Sequence, residues 1–161
     1  MSDVKAKLLV SSCLIGKKCA YDGTSRLSEP VVELCSRVDY IDVCPEVEGG
    51  CACPRDRNEI SGGTGADVLD GESAVVSSGG RDNTEKFLKG AQRALEAARN
   101  VSVTIAVLKS RSPSCGKYSI HAGKYDGTLR KGAGVTAELF LRNGITVFNE
   151  DETEQAARIL T

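Results

Sequence analysis

Hydrophobic positions in this chain gather into short runs divided by Gly, Ser and Pro. Leu8-Leu9-Val10-Ser11-Ser12-Cys13, Tyr40-Ile41-Asp42-Val43-Cys44 and Val103-Thr104-Ile105-Ala106-Val107-Leu108 are three of them. Short Val/Ile/Leu-rich runs bounded by turn formers read as buried strands. Ile145-Thr146-Val147-Phe148 makes a fourth. Between these runs the spacing becomes helical. Residues 29–37 open with Pro30, a favoured first-turn residue. Phe87, Leu88, Ala91, Ala94, Leu95 and Ala98 recur at helical spacing behind Thr84, a candidate cap. Residues 134–141 read as a helix stopped by Gly144, and 152–160 as a terminal helix. Residues 46–67 carry five glycines and Pro54 and read as an irregular loop, long enough to suggest a functional role. Strands alternating with helices predict an α/β fold: one domain over residues 1–161, with a mainly parallel sheet covered by helices on both faces in a Rossmann-like three-layer arrangement.

Cysteine placement gives this pattern chemical content. Cys13 and Cys44 end the first two apolar runs, and Cys115 follows the third within Ser112-Pro113-Ser114-Cys115-Gly116. Ligands of parallel α/β sheets bind beyond the carboxyl ends of the strands. Three strands therefore deliver three thiols to one edge, a soft-metal site with one position to spare. Zinc, with His121 as a fourth ligand, is the competing metal. The alternative without any metal is that these are ordinary buried cysteines.

Composition narrows the picture. The 21 basic and 22 acidic residues leave a formal charge of −1, which gives no reason to expect a stable nucleic-acid or membrane-surface partner. Residues 1–7 contain no leader-like apolar stretch, and no segment approaches membrane-spanning length. A cytoplasmic location is expected. Seven cysteines there favour metal binding or catalysis over disulfides. His121 is the only histidine, which excludes a His-rich zinc site; it reads as a solvated residue near a polar turn.

Six ordered motifs carry a family resemblance. They are Ser12-Cys13-Leu14-Ile15-Gly16, Tyr21-Asp22-Gly23, Cys44-Pro45-Glu46-Val47-Glu48-Gly49-Gly50, Lys109-Ser110-Arg111-Ser112-Pro113-Ser114-Cys115-Gly116, Tyr125-Asp126-Gly127-Thr128 and Gly132-Ala133-Gly134-Val135-Thr136-Ala137. In order and spacing they resemble the thiouracil desulfidases, iron–sulfur enzymes that remove sulfur from thiolated pyrimidines. The resemblance covers essentially the whole chain. It implies a [4Fe–4S] cluster on Cys13, Cys44 and Cys115, with a fourth iron left open to take the sulfur of a small thiolated base. The implied reaction is redox-neutral, with water replacing sulfur and sulfide released. Two other readings stay open: a different enzyme on the same cluster (a dehydratase, or sulfur transfer to tRNA bases), and a cluster-binding protein without a reaction.

Proton handling points to three residues. Glu46 and Glu48 follow Cys44, and in an extended segment residues two apart share a face, so both are expected to point into the cleft. The resemblance assigns the general base to Glu48, four positions after the second cysteine. Glu46 then binds substrate or holds the loop. Ser112 either donates to the substrate ring or its leaving sulfur, or caps the turn that follows it. Lys109 balances charge. Residues 132–134 read as the start of a helix rather than an anion site. Of the remaining cysteines, Cys19 reads as loop packing and Cys35 as core. Cys51 and Cys53 read as non-ligands near the site, although a C-x-C pair could also close the fourth iron.

Overall fold

The computed structural model describes residues 8–160. Residues 1–7, read above as lacking a leader, lie outside them. In chain order the strands are β1 (Leu8–Ser11), β2 (Tyr40–Val43), β3 (Asn58–Ser61), β4 (Ala74–Ser77), β5 (Ile105–Leu108), β6 (Ser119–His121), β7 (Leu129–Lys131) and β8 (Thr146–Asn149). The α-helices are α1 (Glu29–Cys35), α2 (Pro45–Glu48), α3 (Gly65–Leu69), α4 (Thr84–Asn100), α5 (Val135–Arg142) and α6 (Thr153–Leu160).

The four predicted strands form one parallel sheet in the order β2-β1-β5-β8. Alternation along each strand divides the core into two layers. Leu8, Val10, Ile105, Val107 and Phe148 pack with Val31, Leu34, Ala156 and Leu160 of α1 and α6. Leu9, Ala106, Leu108 and Val147 pack with Ala94, Leu95, Ala98, Ala137 and Phe140 of α4 and α5. The three-layer α/β expectation therefore holds. Among the described residues no helix is long and apolar enough to cross a membrane.

Residues 46–67 are not the irregular loop expected. The span contains the one-turn helix α2, the strand β3 and the start of α3. Strand β3 pairs antiparallel with β4 inside the glycine-punctuated stretch that follows, and β6 pairs with β7. Glu59 explains how such a polar strand is held. It is 1% exposed, pairs with Arg57 (3.1 Å), and accepts the backbone N–H groups of Gly123 (2.9 Å) and Tyr125 (3.2 Å). Thr84 is not a cap: its hydroxyl accepts the Val75 N–H at 2.9 Å, and Asp82 takes the Thr84 N–H instead.

Helix α4 reaches the backbone of α2 through two glycines. A Cβ on Gly90 would lie 1.9 Å from the Pro45 carbonyl oxygen, and one on Gly49 would lie 1.9 Å from the Lys86 carbonyl oxygen. Alanine at position 90 gains roughly 0.5–1 kcal/mol of helix propensity. Here the obstacle is backbone, which cannot swing aside, so the clash outweighs that gain. Gly90→Ala is expected to cost about 3 kcal/mol or more, lowering Tm by roughly 6–12 °C for a chain of this size. A calorimetric scan reads it directly, and an unchanged Tm would show that the two helices separate freely.

Candidate functional site

The three strands that end in cysteine are neighbours in the sheet, with β1 between β2 and β5. All run parallel, so their carboxyl ends share one edge. Cys13 lies in a 3-10 turn directly after β1, Cys44 directly after β2, and Cys115 in the turn that follows β5. All three line one pocket of about 160 Å³. Cys19, Glu46, Arg55, Ser112 and His121 line it too.

Each thiol is placed by its own local structure. Cys44 is the residue before α2, and Pro45 at the first position of that turn fixes its helical start. Cys115 is held by the first turn of α5. The N–H groups of Val135, Thr136 and Ala137 donate to the carbonyls of Pro113, Ser114 and Ser114, and the Gly134 N–H donates to Gly116. Those donors would otherwise be orphans of the helix end. Residues 132–134 thus lead into a helix, as expected, and its N-terminus is spent on the cysteine turn. A Cβ on Gly134 would sit 2.6 Å from the Pro113 carbonyl oxygen, so glycine permits this close approach.

Ser112 does what the turn reading proposed. Its oxygen accepts from the N–H of Ser114 and of Cys115, both at 3.1 Å. A hydroxyl has two acceptor lone pairs and one O–H. Both accepting positions are used, which leaves the proton available in a pocket that the residue lines. Ser11, absent from the sequence reading, is 2% exposed and accepts the Lys109 N–H at 2.9 Å. The Ser114 hydroxyl hydrogen-bonds the Cys115 thiol at 3.7 Å. Lys109 is ion-paired with Glu150 at 3.2 Å.

The two carboxylates part company. Because α2 is helical, residues two apart are turned roughly 200° from each other. Glu46 faces the pocket, its side chain 13% exposed, with one oxygen 3.1 Å from the Nε of Arg55. Glu48 is exposed and does not line the pocket. The expectation that both acids enter the cleft from an extended segment is therefore corrected. Burial raises the Glu46 carboxyl above its usual range, against the pull of Arg55. Arg55, a residue the site reading missed, also donates to the carbonyls of Ala52 (3.1 Å) and Cys19 (3.0 Å) and so ties three segments together.

The other cysteines separate clearly. Cys35 packs in the core beneath α1. Cys51 packs with Ile60, Phe87 and Ala91, away from the thiol pocket. Cys53 is exposed, and its thiol donates to the carbonyls of Lys18 (3.1 Å) and Ala20 (3.5 Å). Cys19 is not loop packing. It lines the pocket beside Cys13, Cys44 and Cys115, and its backbone carbonyl accepts the Cys44 thiol at 3.8 Å. The contact with Cys13 helps push the Cys19 thiol up to about 11. Burial pushes Cys115 up to about 12, and the neighbouring Cys19 thiol together with burial raises Cys44. Buried thiols crowded together resist ionisation until a cation joins them. His121 is also corrected: it lines the pocket half-buried, its Nδ1 enclosed without a partner, and burial lowers its pKa. Among the described residues no three His, Cys, Asp or Glu side chains converge on a single ion. The thiols surround a space instead of meeting at a point, an arrangement that suits a polynuclear cluster better than zinc.

Fold and site together define an α/β protein with a thiol-lined pocket at the carboxyl edge of its parallel sheet. The chain belongs to the 2-thiouracil desulfurase family, whose model matches residues 8–152. The family resemblance carried by the motifs is borne out. The chain is 41% identical over 145 residues to the uncharacterized protein YbbK of Bacillus subtilis (strain 168), covering 90% of this chain and 96% of that protein. Among solved structures it is similar to the [4Fe-4S]-dependent thiouracil desulfidase TudS (DUF523Vcz), with a TM-score of 0.84 and 36% identity over 97% of this chain and 98% of the other.

Proposed function

We propose that this protein is a [4Fe–4S]-dependent desulfidase, acting on a thiolated pyrimidine such as 2-thiouracil, with Cys13, Cys44 and Cys115 as the cluster's protein ligands. The observation that carries the reading is the convergence of these three cysteines, from three adjacent parallel strands, on one pocket that also holds a buried carboxylate. When bound, such a cluster supplies a thiophilic Lewis acid at the iron that three cysteines leave without a protein ligand.

The chain's own residues supply the rest. Glu46 accepts the proton of the water that replaces sulfur, a role its place in the pocket supports better than the exposed position of Glu48. Arg55 fixes the Glu46 side chain and keeps a buried charge paired. Ser112 donates its remaining proton to the substrate. Ser114 hydrogen-bonds the Cys115 sulfur. The balance is a thiocarbonyl plus water giving a carbonyl plus hydrogen sulfide, with no electrons consumed.

The deciding experiment is anaerobic reconstitution with iron and sulfide, then a sulfide assay with 2-thiouracil and 4-thiouracil. Sulfide release in step with the oxygenated base is the expected result. A brown protein that releases no sulfide from either base would favour the dehydratase, tRNA-sulfur or storage readings. Ser112→Ala is expected to retain the cluster absorbance and lose turnover, with a stability loss of about 1 kcal/mol from its two backbone hydrogen bonds. Comparison of Tm with kcat separates the two effects.

A further inference from the structure

We propose that Cys19 is a displaceable fourth ligand, closing the iron that the other three cysteines leave open until a thiolated substrate takes its place. The inference deepens the cluster reading above and rests on it. Of the seven cysteines, four line the pocket, and Cys19 is the one to which the three-ligand set gives no role. It lines the same pocket as Cys13, Cys44 and Cys115, and its backbone carbonyl accepts the Cys44 thiol at 3.8 Å, so it stands beside the ligand sulfurs. Cys51 and Cys53, the pair whose spacing drew attention to a fourth ligand, lie outside the pocket.

The loop carrying Cys19 is built to hold a thiol in place. Its backbone carbonyl accepts Arg55 Nη2 at 3.0 Å and the Cys44 thiol at 3.8 Å. The carbonyls on either side, of Lys18 and Ala20, accept the Cys53 thiol. Gly16 (φ 99°) and Gly23 (φ 79°) bracket the loop in left-handed conformations that glycine adopts without strain. These glycines are natural pivots, and three of the bonds that hold the segment between them are thiol-to-carbonyl contacts. Cys19 is also only half-buried, so an entering molecule meets it. The exchange is a ligand substitution without redox change. On binding iron, the Cys19 S–H gives its proton to solvent and a sulfur–iron bond forms. When substrate sulfur takes that position, the bond breaks and the Cys19 sulfur regains a proton.

The test compares wild type, Cys19→Ala and, as a control beneath α1, Cys35→Ala, each reconstituted anaerobically. Ferricyanide strips the labile iron from an open cluster and leaves the [3Fe–4S] EPR signal. Wild type and Cys35→Ala are expected to resist, with Cys19→Ala converting at least about tenfold faster. In parallel, iodoacetamide labelling read by peptide mass spectrometry should find Cys19 protected in reconstituted wild type and labelled once 2-thiouracil is added. Equal conversion of wild type and Cys19→Ala, or Cys19 labelled equally with and without 2-thiouracil, overturns the inference while leaving the proposed function standing. A wild-type protein that takes up no cluster sinks both.

Discussion

Replacing any one of Cys13, Cys44 or Cys115 by Ala is expected to bleach the anaerobically reconstituted protein and abolish sulfide release. The three thiols arrive from separate strands, and Cys19, the other thiol lining the pocket, belongs to the fourth iron in the proposal above. A cluster that lacks one of its three strand-end sulfurs is lost on desalting. Loss of colour should come without loss of fold: Cys13 and Cys44 are only partly buried and Cys115 replaces one small side chain by another. Far-ultraviolet dichroism should therefore match wild type while the visible charge-transfer absorbance disappears. Cys35→Ala is the contrast, keeping its colour with at most a small packing loss. A Cys44→Ala protein that keeps its full absorbance would remove Cys44 from the ligand set and hand its place to Cys19, whose carbonyl accepts the Cys44 thiol and whose side chain lines the same pocket.

Glu46→Gln is expected to hold its cluster and lose turnover by roughly 10²–10⁴-fold, the usual contribution of a positioned acid–base group. Glutamine keeps the shape and leaves an amide oxygen for Arg55, but it cannot take a proton from water at neutral pH. The change also uncharges one half of a buried ion pair. A melting curve must accompany the kinetics, because an unpaired Arg55 carries its own cost. If kcat falls while Tm moves by only a few degrees, the loss is chemical. Glu48→Gln is the control from the same turn and should behave as wild type, since its side chain lies in solvent. The reverse result, with Glu48→Gln inactive and Glu46→Gln active, would show that the turn rearranges when loaded.

Sequence patterning reached the sheet, its layers and the shared edge because those rest on long-range regularities. Leu8, Ile105 and Val147 alternate with residues of the opposite face, and each run ends on a turn former. The family was legible in motifs that span most of the chain. The sides taken by Glu46 and Glu48 were not, because a four-residue helix is too short to show a period and its neighbours are glycines. Strands β3 and β7 were equally opaque. The first is held by Glu59, a residue whose type argues for solvent, and the second has three exposed residues and no buried face. Cys19 failed for another reason: nothing in Lys17-Lys18-Cys19-Ala20 distinguishes a loop thiol that turns inward from one that packs. The signal lay elsewhere, in Arg55, whose guanidinium binds both the Cys19 carbonyl and Glu46.

The order of the strands has a consequence for how such a protein matures. The edge that gathers the thiols does not exist until β2, β1 and β5 have all paired, and β5 is separated from β1 by most of the chain. A partly synthesised or partly folded chain presents scattered cysteines that chelate iron poorly and oxidise readily. On the proposed cluster reading, iron delivery follows closure of the sheet, and brown colour in a fresh preparation reports the molecules that have both closed the sheet and been loaded.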